Sequence, residues 1–346
     1  SPHMKTLVTG GGGFVGRYVV ERLLSRGDAV RVIGRRPYPE LSALGVETRQ
    51  VDLGDAAAVS EACEGVDVVH HTAACVELFH PAVTLIRTNV DGTRHLLDAC
   101  RRRGVARLVF TSSASVVFGH TDQQGVDESV PYPARYTNIY ARTKAQAEQL
   151  VLAANGQGGL RTLSLRPHLV FGPRDTHLVP NLLSVSRAGR LVQVGDGRNK
   201  VDVTYVENLA DAHLLAADRL ADRPDVAGRA YFVSQNDPVD AWQFLGDLME
   251  RLGEPRPTRQ ISYRRASALG ACLEVLWPLL RRPGLPPMTR FLAAQMAKSH
   301  YFDGSAARRL LGYEPRVSTA EGVDRLAQAW SRGGPAGGPQ AEGGQP

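Results

Sequence analysis

The 346-residue sequence has few cysteines and few aromatic residues, the latter only 6% of the chain. The cysteines are Cys63, Cys75, Cys100 and Cys272. Their spacing is neither that of a disulfide framework nor that of a metal site. We therefore expect reduced thiols, no bound metal and a cytoplasmic protein.

Long apolar runs are also missing. The first apolar segment, Leu7-Val8, leads directly into glycines, so we expect no secretory signal peptide. The longest apolar-rich stretch, Ala266 to Leu280, contains Glu274 and is shorter than the roughly 20 residues that cross a bilayer. We expect no spanning helix. Because Arg281 and Arg282 follow this stretch, peripheral contact with a membrane surface remains an alternative.

The charge balance gives no sign of a nucleic-acid partner. The net charge is +6, but the basic pairs lie in ordinary helical or loop sequence without interleaved aromatic residues. Such pairs are typical of a solvated surface. Hydrophobic residues make up 43% and charged residues 22% of the chain, which is typical of a soluble globular protein.

Short β-rich runs alternate with helical patterns, which predicts the α/β class with a Rossmann-type, doubly wound parallel sheet. The predicted strands are 6–9, 29–34, 47–51, 66–71, 107–112, 162–165 and 230–233. The predicted helices are 15–25, 55–64, 83–102, 138–154, 240–252 and 266–280, with loops and short elements over 180–190. We expect a dinucleotide-binding domain over 4–175 that segments near 200–234 rejoin, a smaller, mainly substrate-binding lobe over 176–330, and a disordered tail over 331–346.

A glycine-rich loop follows the first predicted strand and opens the first helix. It consists of Gly10, Gly13, Phe14, Val15 and Gly16, with further glycines at 11 and 12. Glycines permit a tight turn and let backbone N–H groups approach a pyrophosphate at the positive helix N-terminus. This loop therefore predicts a dinucleotide site.

The ends of the second and third strands bear on the choice of cofactor. An acidic residue at the end of the second strand favours NAD, but here Arg35 and Arg36 follow Gly34. Guanidinium groups bind a 2′-phosphate, so we expect NADP(H). Asp52 and Leu53 end the third strand, where the carboxylate either accepts a bond from adenine or caps the next helix.

Tyr140 and Lys144 lie four residues apart on a predicted helix and therefore share one face. A tyrosine can give a proton to a developing alkoxide if a cation stabilises its phenolate. Ser113 ends a strand at the carboxyl edge of the sheet, where it can orient a substrate oxygen; Ser112 is the alternative. The pattern predicts carbonyl reduction or alcohol oxidation.

These spaced elements resemble those of the extended short-chain dehydrogenases/reductases, from Lys5 to about Trp330. The resemblance rests on residues 9–16, 71–74, 89–93, 111–113, 140–144 and 165–167. It implies that Ser113, Tyr140 and Lys144 are catalytic and that Tyr140 and Lys144 also contact the cofactor. It further implies that Ala73, Ala74 and Pro167 lie along the cofactor, that Asn89 supports the site, and that helices 83–102 and 138–154 are a candidate homodimer interface.

Residues 177–180, 195–199 and 299–303 look like those of the 3β-hydroxysteroid dehydrogenase-like branch of that group. Residues 35–40 are similar to those of the bacterial 2-alkyl-3-ketoacid reductases of olefin synthesis, which belong to the same branch. Sugar-nucleotide enzymes hold their diphosphate with an asparagine and an arginine where this chain has Leu169 and Val201. The resemblance thus implies an apolar keto or hydroxy substrate. A nucleotide-sugar epimerase or reductase, and a non-catalytic redox sensor, are the alternatives. Helix 266–280 either lines an apolar channel or only packs on its own lobe.

Overall fold

A computed structural model of the chain describes residues 4–75, 81–282, 284 and 286–333. The strands are β1 (Lys5–Thr9), β2 (Ala29–Gly34), β3 (Glu47–Gln50), β4 (Val68–His71), β5 (Arg107–Thr111), β6 (Gln123–Val126), β7 (Arg161–Pro167), β8 (Val170–Phe171), β9 (Gln193–Val194), β10 (Lys200–Val201), β11 (Thr204–Tyr205), β12 (Ala230–Val233), β13 (Val239–Asp240), β14 (Gln260–Ile261) and β15 (His300–Phe302). The helices are α1 (Phe14–Arg26), α2 (Pro39–Ser42), α3 (Ala56–Ala62), α4 (Ala82–Leu85), α5 (Gly92–Arg103), α6 (Ile139–Ala153), α7 (Leu178–Arg187), α8 (Val206–Asp222), α9 (Ala241–Arg251), α10 (Tyr263–Leu279), α11 (Arg290–Ala297) and α12 (Thr319–Gly333).

Seven strands form one parallel sheet in the order β12-β7-β5-β4-β1-β2-β3. Its central strands are short apolar runs, and Leu7 and Val8 are fully buried on opposite faces. The strand order reverses between β1 and β4, and ligands bind at the carboxyl edge beside such a reversal. The predicted doubly wound Rossmann-type sheet is confirmed.

Helices cover both faces of this sheet. Buried side chains of α3, α5 and α6 pack on one face, and those of α1 and α8 pack on the other. Two of these helices begin at the predicted capping residues. The Asp55 carboxylate accepts bonds from the Ala57 and Ala58 N–H groups, and the Asn138 side chain accepts one from the Ala141 N–H. The second cap fixes where α6, which contains Tyr140, begins.

The helix predicted over 83–102 is interrupted. Between α4 and α5 the backbone forms a wider π turn, Ile86–Asp91, and only then continues as α5. Such turns are rare and occur frequently at functional sites. This one contains Asn89, which is buried toward the active-site edge of the sheet.

The C-terminal half extends the sheet and adds smaller elements beside it. Strand β12 pairs in parallel with β7, and β13, β10, β15 and β6 form a separate four-stranded sheet. The segment predicted as loops and short elements over 180–190 contains most of helix α7. Helix α12 runs to Gly333, so the first three residues expected in the disordered tail are helical, and the rest of that tail lies outside the described residues. Within the described part of the chain no helix is long and apolar enough to cross a membrane.

Candidate active site

A cavity of about 610 Å³ lies at the carboxyl edge of the sheet, where the glycine loop meets β2, β3, β5 and α6. It brings together fifteen of the residues predicted from the sequence. These are Gly10, Gly13, Phe14, Val15, Gly16, Arg35, Arg36, Asp52, Leu53, Ala73, Ala74, Ser113, Tyr140, Lys144 and Pro167. The alternative serine, Ser112, lines it too.

The glycine loop is compact because side chains would not fit in it. Gly10 has φ +68°, its N–H donates to the Ile33 carbonyl at 2.9 Å, and a Cβ there would lie 2.8 Å from the Cα of Ala73. A Cβ on Gly16 would lie 2.2 Å from the Gly10 carbonyl oxygen. Gly13 caps α1 with backbone alone, and the first turn of α1 has no acidic side chain. The N–H groups of this turn are thus placed to bind an anion.

Arg35 and Arg36 line the cavity at the end of β2, next to a tyrosine that the sequence patterns did not reveal. The guanidinium carbon of Arg36 lies 5.3 Å from the centre of the Tyr38 ring. Tyr38 is buried, and a Cβ on Gly34 would lie 2.2 Å from its hydroxyl oxygen. Tyr38 therefore fills the space beside the end of β2. The positive charge at this edge of the cavity comes from Arg35 and Arg36.

Asp52 makes contacts on both carboxylate oxygens. Its Oδ1 accepts a bond from the Gly54 N–H at 2.7 Å, and its Oδ2 lies 3.3 Å from an Arg87 nitrogen. The first contact closes a turn just before Asp55, and it is Asp55, not Asp52, that caps α3. The carboxylate also faces the cavity, and its predicted bond to adenine stays a prediction.

Tyr140 and Lys144 are one helical turn apart in the wall of the cavity. Burial raises the pKa of Tyr140 to about 12. Burial also lowers the pKa of Lys144 to about 7, against a smaller opposing effect of the Glu148 carboxylate. The Lys144 ammonium donates to the Thr111 carbonyl and lies 4.2 Å from the centre of the Phe110 ring. Helix α6 and the end of β5 thus hold a phenol and an amine at one edge of the sheet.

Ser113 begins a 3₁₀ turn, Ala114–Val117, directly after β5. Its hydroxyl oxygen accepts a bond from the Ser115 N–H at 3.2 Å and lies 2.8 Å from the Ser115 hydroxyl. Ser112 is more deeply buried, at 3% exposed. The half-buried Ser113 hydroxyl is therefore the better placed of the two for a ligand in the cavity.

Asn89, which the resemblance implies supports the site as one of its cofactor-binding residues, is not among the residues that line the cavity. Its Oδ1 accepts from the Cys75 N–H at 2.9 Å, and its Nδ2 donates to the Cys75 carbonyl and the Thr143 hydroxyl, both at 3.1 Å. It is 3% exposed. Asn89 thus joins the segment after β4 to α6, as expected of a residue that supports the site, and its contact with a cofactor stays a prediction.

A second cavity, of about 820 Å³, adjoins the first and shares Leu169, Leu178 and Asn181 with it. Most of its lining is apolar, including Leu182, Val185, Val201, Trp242, Leu245 and Met288. Its cations are Arg190, Arg259 and Arg265. Helix α10 contributes Leu269 and Arg265, so it lines this second cavity as well as packing on its own lobe.

Other lining residues were missed by the sequence analysis. Thr72 and Cys75 flank the predicted Ala73 and Ala74, and that adjacency could have revealed them. Asn181, on α7, lines the cavity as well, directly after the segment 177–180.

The seven-stranded sheet, the glycine loop after β1 and the placement of Ser113, Tyr140 and Lys144 define an extended short-chain dehydrogenase/reductase. The model of the 3-beta hydroxysteroid dehydrogenase/isomerase family matches residues 7–263. The chain belongs to this family, as the resemblance implied.

Comparisons with individual proteins agree with this membership. The chain is 46% identical over 326 residues to a 2-alkyl-3-oxoalkanoate reductase of Stenotrophomonas maltophilia (strain K279a), covering 93% of this chain and 98% of that protein. It is 36% identical to a 3 beta-hydroxysteroid dehydrogenase/Delta 5-->4-isomerase of Mycobacterium tuberculosis (strain CDC 1551 / Oshkosh), covering 92% and 88%. Among solved structures, MoeE5 in complex with UDP-glucose and NAD has 25% identity and a TM-score of 0.70, covering 95% and 99%.

Proposed function

We propose that this protein interconverts a 3-keto and a 3-hydroxy group on an apolar substrate, a ketoacid or a steroid-like compound, with NADP(H). The observation that carries the proposal is the junction of the two cavities. The first holds the glycine loop, Ser113, Tyr140 and Lys144, and the second is mostly apolar and opens from it through Leu169 and Leu178. A substrate chain in the second cavity can present its carbonyl group to the first.

The chain's own residues supply the proton and the orientation. When bound, the dinucleotide supplies a hydride to the carbonyl carbon, or accepts one in the reverse direction. Tyr140 donates its hydroxyl proton to the carbonyl oxygen, and Ser113 donates a hydrogen bond to the same oxygen. Burial makes the Tyr140 phenolate costly. When Lys144 is protonated, its cation one helical turn away would offset this cost. In the reverse direction the phenolate takes the proton back.

The residues present fit a dinucleotide with a 2′-phosphate. The glycine positions leave room for a pyrophosphate against the α1 N-terminus, because a Cβ at Gly10 or Gly16 would clash. Arg35 and Arg36 line the cavity where an NAD enzyme places a carboxylate. MoeE5, the similar structure with NAD bound, supports a nicotinamide cofactor. The choice of NADP(H) rests on the two arginines.

The apolar second cavity favours a ketoacid or steroid-like substrate over a sugar nucleotide. Leu169 and Val201 line it, and neither can bind a diphosphate. The relatives named for 2-alkyl-3-oxoalkanoate reduction and for hydroxysteroid dehydrogenation support the same substrate class. A pure redox sensor would need no proton donor, so the presence of Tyr140, Lys144 and Ser113 in one cavity favours an enzyme.

The test is turnover of NADPH with 2-alkyl-3-ketoacids, ketosteroids and UDP-sugars, each with the unmodified protein and with Tyr140→Phe. We expect turnover with the 2-alkyl-3-ketoacids or the ketosteroids and none with the UDP-sugars. Tyr140→Phe should lower turnover by roughly 10²–10⁴, the range of general acid–base catalysis, with NADPH binding retained. Tyr301→Phe is the matched control. The Tyr301 hydroxyl contacts Gln124 and Tyr301 does not line the cavity, so turnover of this variant should stay near normal. Near-normal turnover in Tyr140→Phe would show that another group donates the proton.

A further inference from the structure

A buried histidine lies at the junction of the two cavities. His168 follows Pro167, which lines the first cavity, and precedes Leu169, which lines both. His168 itself lines the second cavity and is only 6% exposed. Its backbone N–H and carbonyl are both bonded to the Thr204 hydroxyl, whereas its ring makes no hydrogen bond in the part of the chain that the structure describes. A buried polar group of this kind is costly unless a ligand completes its hydrogen bonding.

The packing around the His168 ring ties it to the segment that holds Ser113. The ring lies edge-on against the Phe118 ring, with the two centroids 5.2 Å apart. Phe118 caps the end of the 3₁₀ turn that Ser113 begins, and it also stacks on His300 at 4.2 Å. His168 is therefore fixed in a packed aromatic cluster beside the candidate active site.

Burial also decides the protonation state of His168. Burial, with a smaller contribution from the nearby His300, lowers the pKa of His168 to about 3. The ring is therefore neutral near pH 7, so one of its nitrogens carries a proton and the other is an acceptor. A neutral imidazole in this position can donate one hydrogen bond to an oxygen of a ligand.

Asn181 offers further donors at the same junction. It lies on α7 and lines both cavities, and its side-chain amide makes no hydrogen bond to any described residue. The amide NH₂ group has two N–H donors. Leu169 and Leu178, the other residues that line both cavities, are apolar. The polar groups at the junction are thus suited to one oxygen-bearing group on an otherwise apolar ligand.

The charges around the second cavity favour an anion. Arg190, Arg259 and Arg265 line it, no acidic residue is found in its described lining, and none of the three arginines forms an ion pair with a described residue. Asp175, which lines the first cavity, already accepts bonds from three N–H groups at the start of α7. Unpaired cations make the potential in the cavity positive, which lowers the cost of placing a carboxylate there.

We propose that His168 and Asn181 bind the carboxylate of a 3-ketoacid and so select the acid over a neutral ketone. This inference rests on the proposed function and assigns two residues that determine its specificity. The carboxylate carbon of a 3-ketoacid is two bonds from the keto carbon. A substrate whose carbonyl oxygen meets Tyr140 therefore holds its carboxylate close by, at the junction, where charge-assisted hydrogen bonds form. Its alkyl chain continues into the apolar second cavity.

The test compares a 2-alkyl-3-ketoacid with its methyl ester, which has the same keto group and no charge. With NADPH, the unmodified protein should have a kcat/KM for the acid about ten- to a hundredfold above that for the ester, as one charge-assisted hydrogen bond allows. His168→Leu should remove this preference, mainly by raising KM for the acid, and should leave the ester nearly unchanged. Asn181→Leu should act in the same direction. His168→Gln keeps a donor and should retain part of the preference.

Binding without turnover gives a second measurement. A 2-alkyl-3-hydroxyacid cannot react with NADPH, so calorimetric titration of the complex with NADPH gives its Kd, and His168→Leu should raise this Kd about tenfold or more. The Kd of the hydroxyacid methyl ester should change little. His300→Leu is the matched control. It alters the same aromatic cluster, but His300 lines neither cavity, so the ratio of acid to ester should stay that of the unmodified protein.

Equal kcat/KM values for the acid and the ester in the unmodified protein would overturn the proposal. So would an equal loss with both compounds in His168→Leu, because a purely structural role has that effect. Thermal unfolding shows whether each variant folds, and if His168→Leu does not, Asn181→Leu at an exposed position makes the same comparison. Turnover of the ester as fast as the acid would leave the proposed function intact. If no keto compound is turned over, the proposed function fails, and the Kd values of the hydroxyacid and its ester decide whether His168 and Asn181 bind a carboxylate.

Discussion

Arg35 and Arg36 are the residues on which the proposed preference for NADP(H) rests. They line the cavity after β2, and Asp52, which lines it after β3, is engaged with Gly54 and Arg87. A 2′-phosphate placed here meets two cations, and the hydroxyl of NADH gains nothing comparable.

We therefore expect NADPH to bind more tightly than NADH by about ten- to a hundredfold, as charge-assisted bonds of about 1.5–3 kcal/mol allow. Arg35→Asp with Arg36→Ala should reverse the order, because a carboxylate repels the phosphate and binds the ribose hydroxyls. Cofactor fluorescence titration gives both Kd values. Arg223→Ala, which breaks an exposed ion pair with Asp225 away from the cavity, should change neither. Equal Kd values in the unmodified protein would remove the argument for NADP(H).

Leu169 has an uncommon backbone conformation. It has φ +42°, a left-handed value that leucine rarely adopts and that asparagine tolerates, and its side chain lines both cavities. Strained backbone of this kind occurs at functional sites.

Leu169→Asn should consequently fold at least as stably as the unmodified protein but bind apolar substrate less well. We expect an increase in KM of about tenfold, the loss of a largely buried leucine contact. Thermal unfolding and steady-state kinetics measure the two effects. Leu169→Met keeps the apolar contact and should leave KM close to that of the unmodified protein. A KM unaffected by the asparagine would mean that substrate does not occupy the junction of the cavities.

At the scale of elements, helix α6 is held to strand β7 by a buried ion pair. The Glu148 carboxylate accepts bonds from Arg166 at 2.6 Å, from the Tyr132 hydroxyl at 2.6 Å and from the Ser164 hydroxyl at 2.9 Å. Burial alone would raise the pKa of Glu148, but Arg166 holds it below its ordinary value. Because Lys144 is one turn earlier on α6, this anchor also positions the part of α6 that carries Tyr140 and Lys144.

Removing one partner of such a pair leaves a buried charge without compensation. Glu148→Gln should lower the free energy of unfolding by about 3–5 kcal/mol at neutral pH. The carboxyl pKa is lower in the folded state, so this stability is present above the ordinary glutamate pKa and is lost as pH falls below it. The difference between the two proteins in urea unfolding should therefore shrink in acid. Glu321→Gln, in an exposed pair with Arg325, should cost about 1 kcal/mol or less. A similar small loss for Glu148→Gln would contradict the anchoring role.

The elements also show where prediction from sequence succeeds and fails. All seven strands of the main sheet were predicted; most are short apolar runs bounded by glycines or polar residues, whereas β3 consists of polar residues. The π turn at Ile86–Asp91 was missed; its Asn89 is bonded to Cys75 and Thr143, contacts that only the folded chain creates. Helix α7 falls mostly in the segment predicted as loops and short elements, and its Pro180 lies in the first turn, where a missing N–H costs little.

The same distinction applies to the residues of the candidate site. Residues in motifs at strand ends, such as Ser113 and Arg36, were placed correctly because parallel strands deliver their carboxyl ends to one edge. Tyr38 and Asn181 were missed, since only three-dimensional packing brings their loop and helix to that edge.

For the whole molecule, the proposed function makes binding of substrate depend on both cavities. In that proposal the sheet edge holds the dinucleotide, and α7, α9, α10 and α11 supply most of the apolar wall of the second cavity. A ligand that bridges them stabilises only the folded chain, so its binding appears in thermal unfolding.

In the presence of NADPH, long-chain 2-alkyl-3-ketoacids or ketosteroids should raise Tm by a few degrees, since a ligand at 100 times its Kd adds about 2.7 kcal/mol. UDP-glucose should not, because Leu169 and Val201 offer its diphosphate no hydrogen bond. Val185→Gln places an amide in the apolar wall and should abolish the shift by the keto compounds while keeping the shift by NADPH alone. Strong stabilisation by UDP-glucose, with none by the keto compounds, would instead indicate a nucleotide-sugar epimerase or reductase.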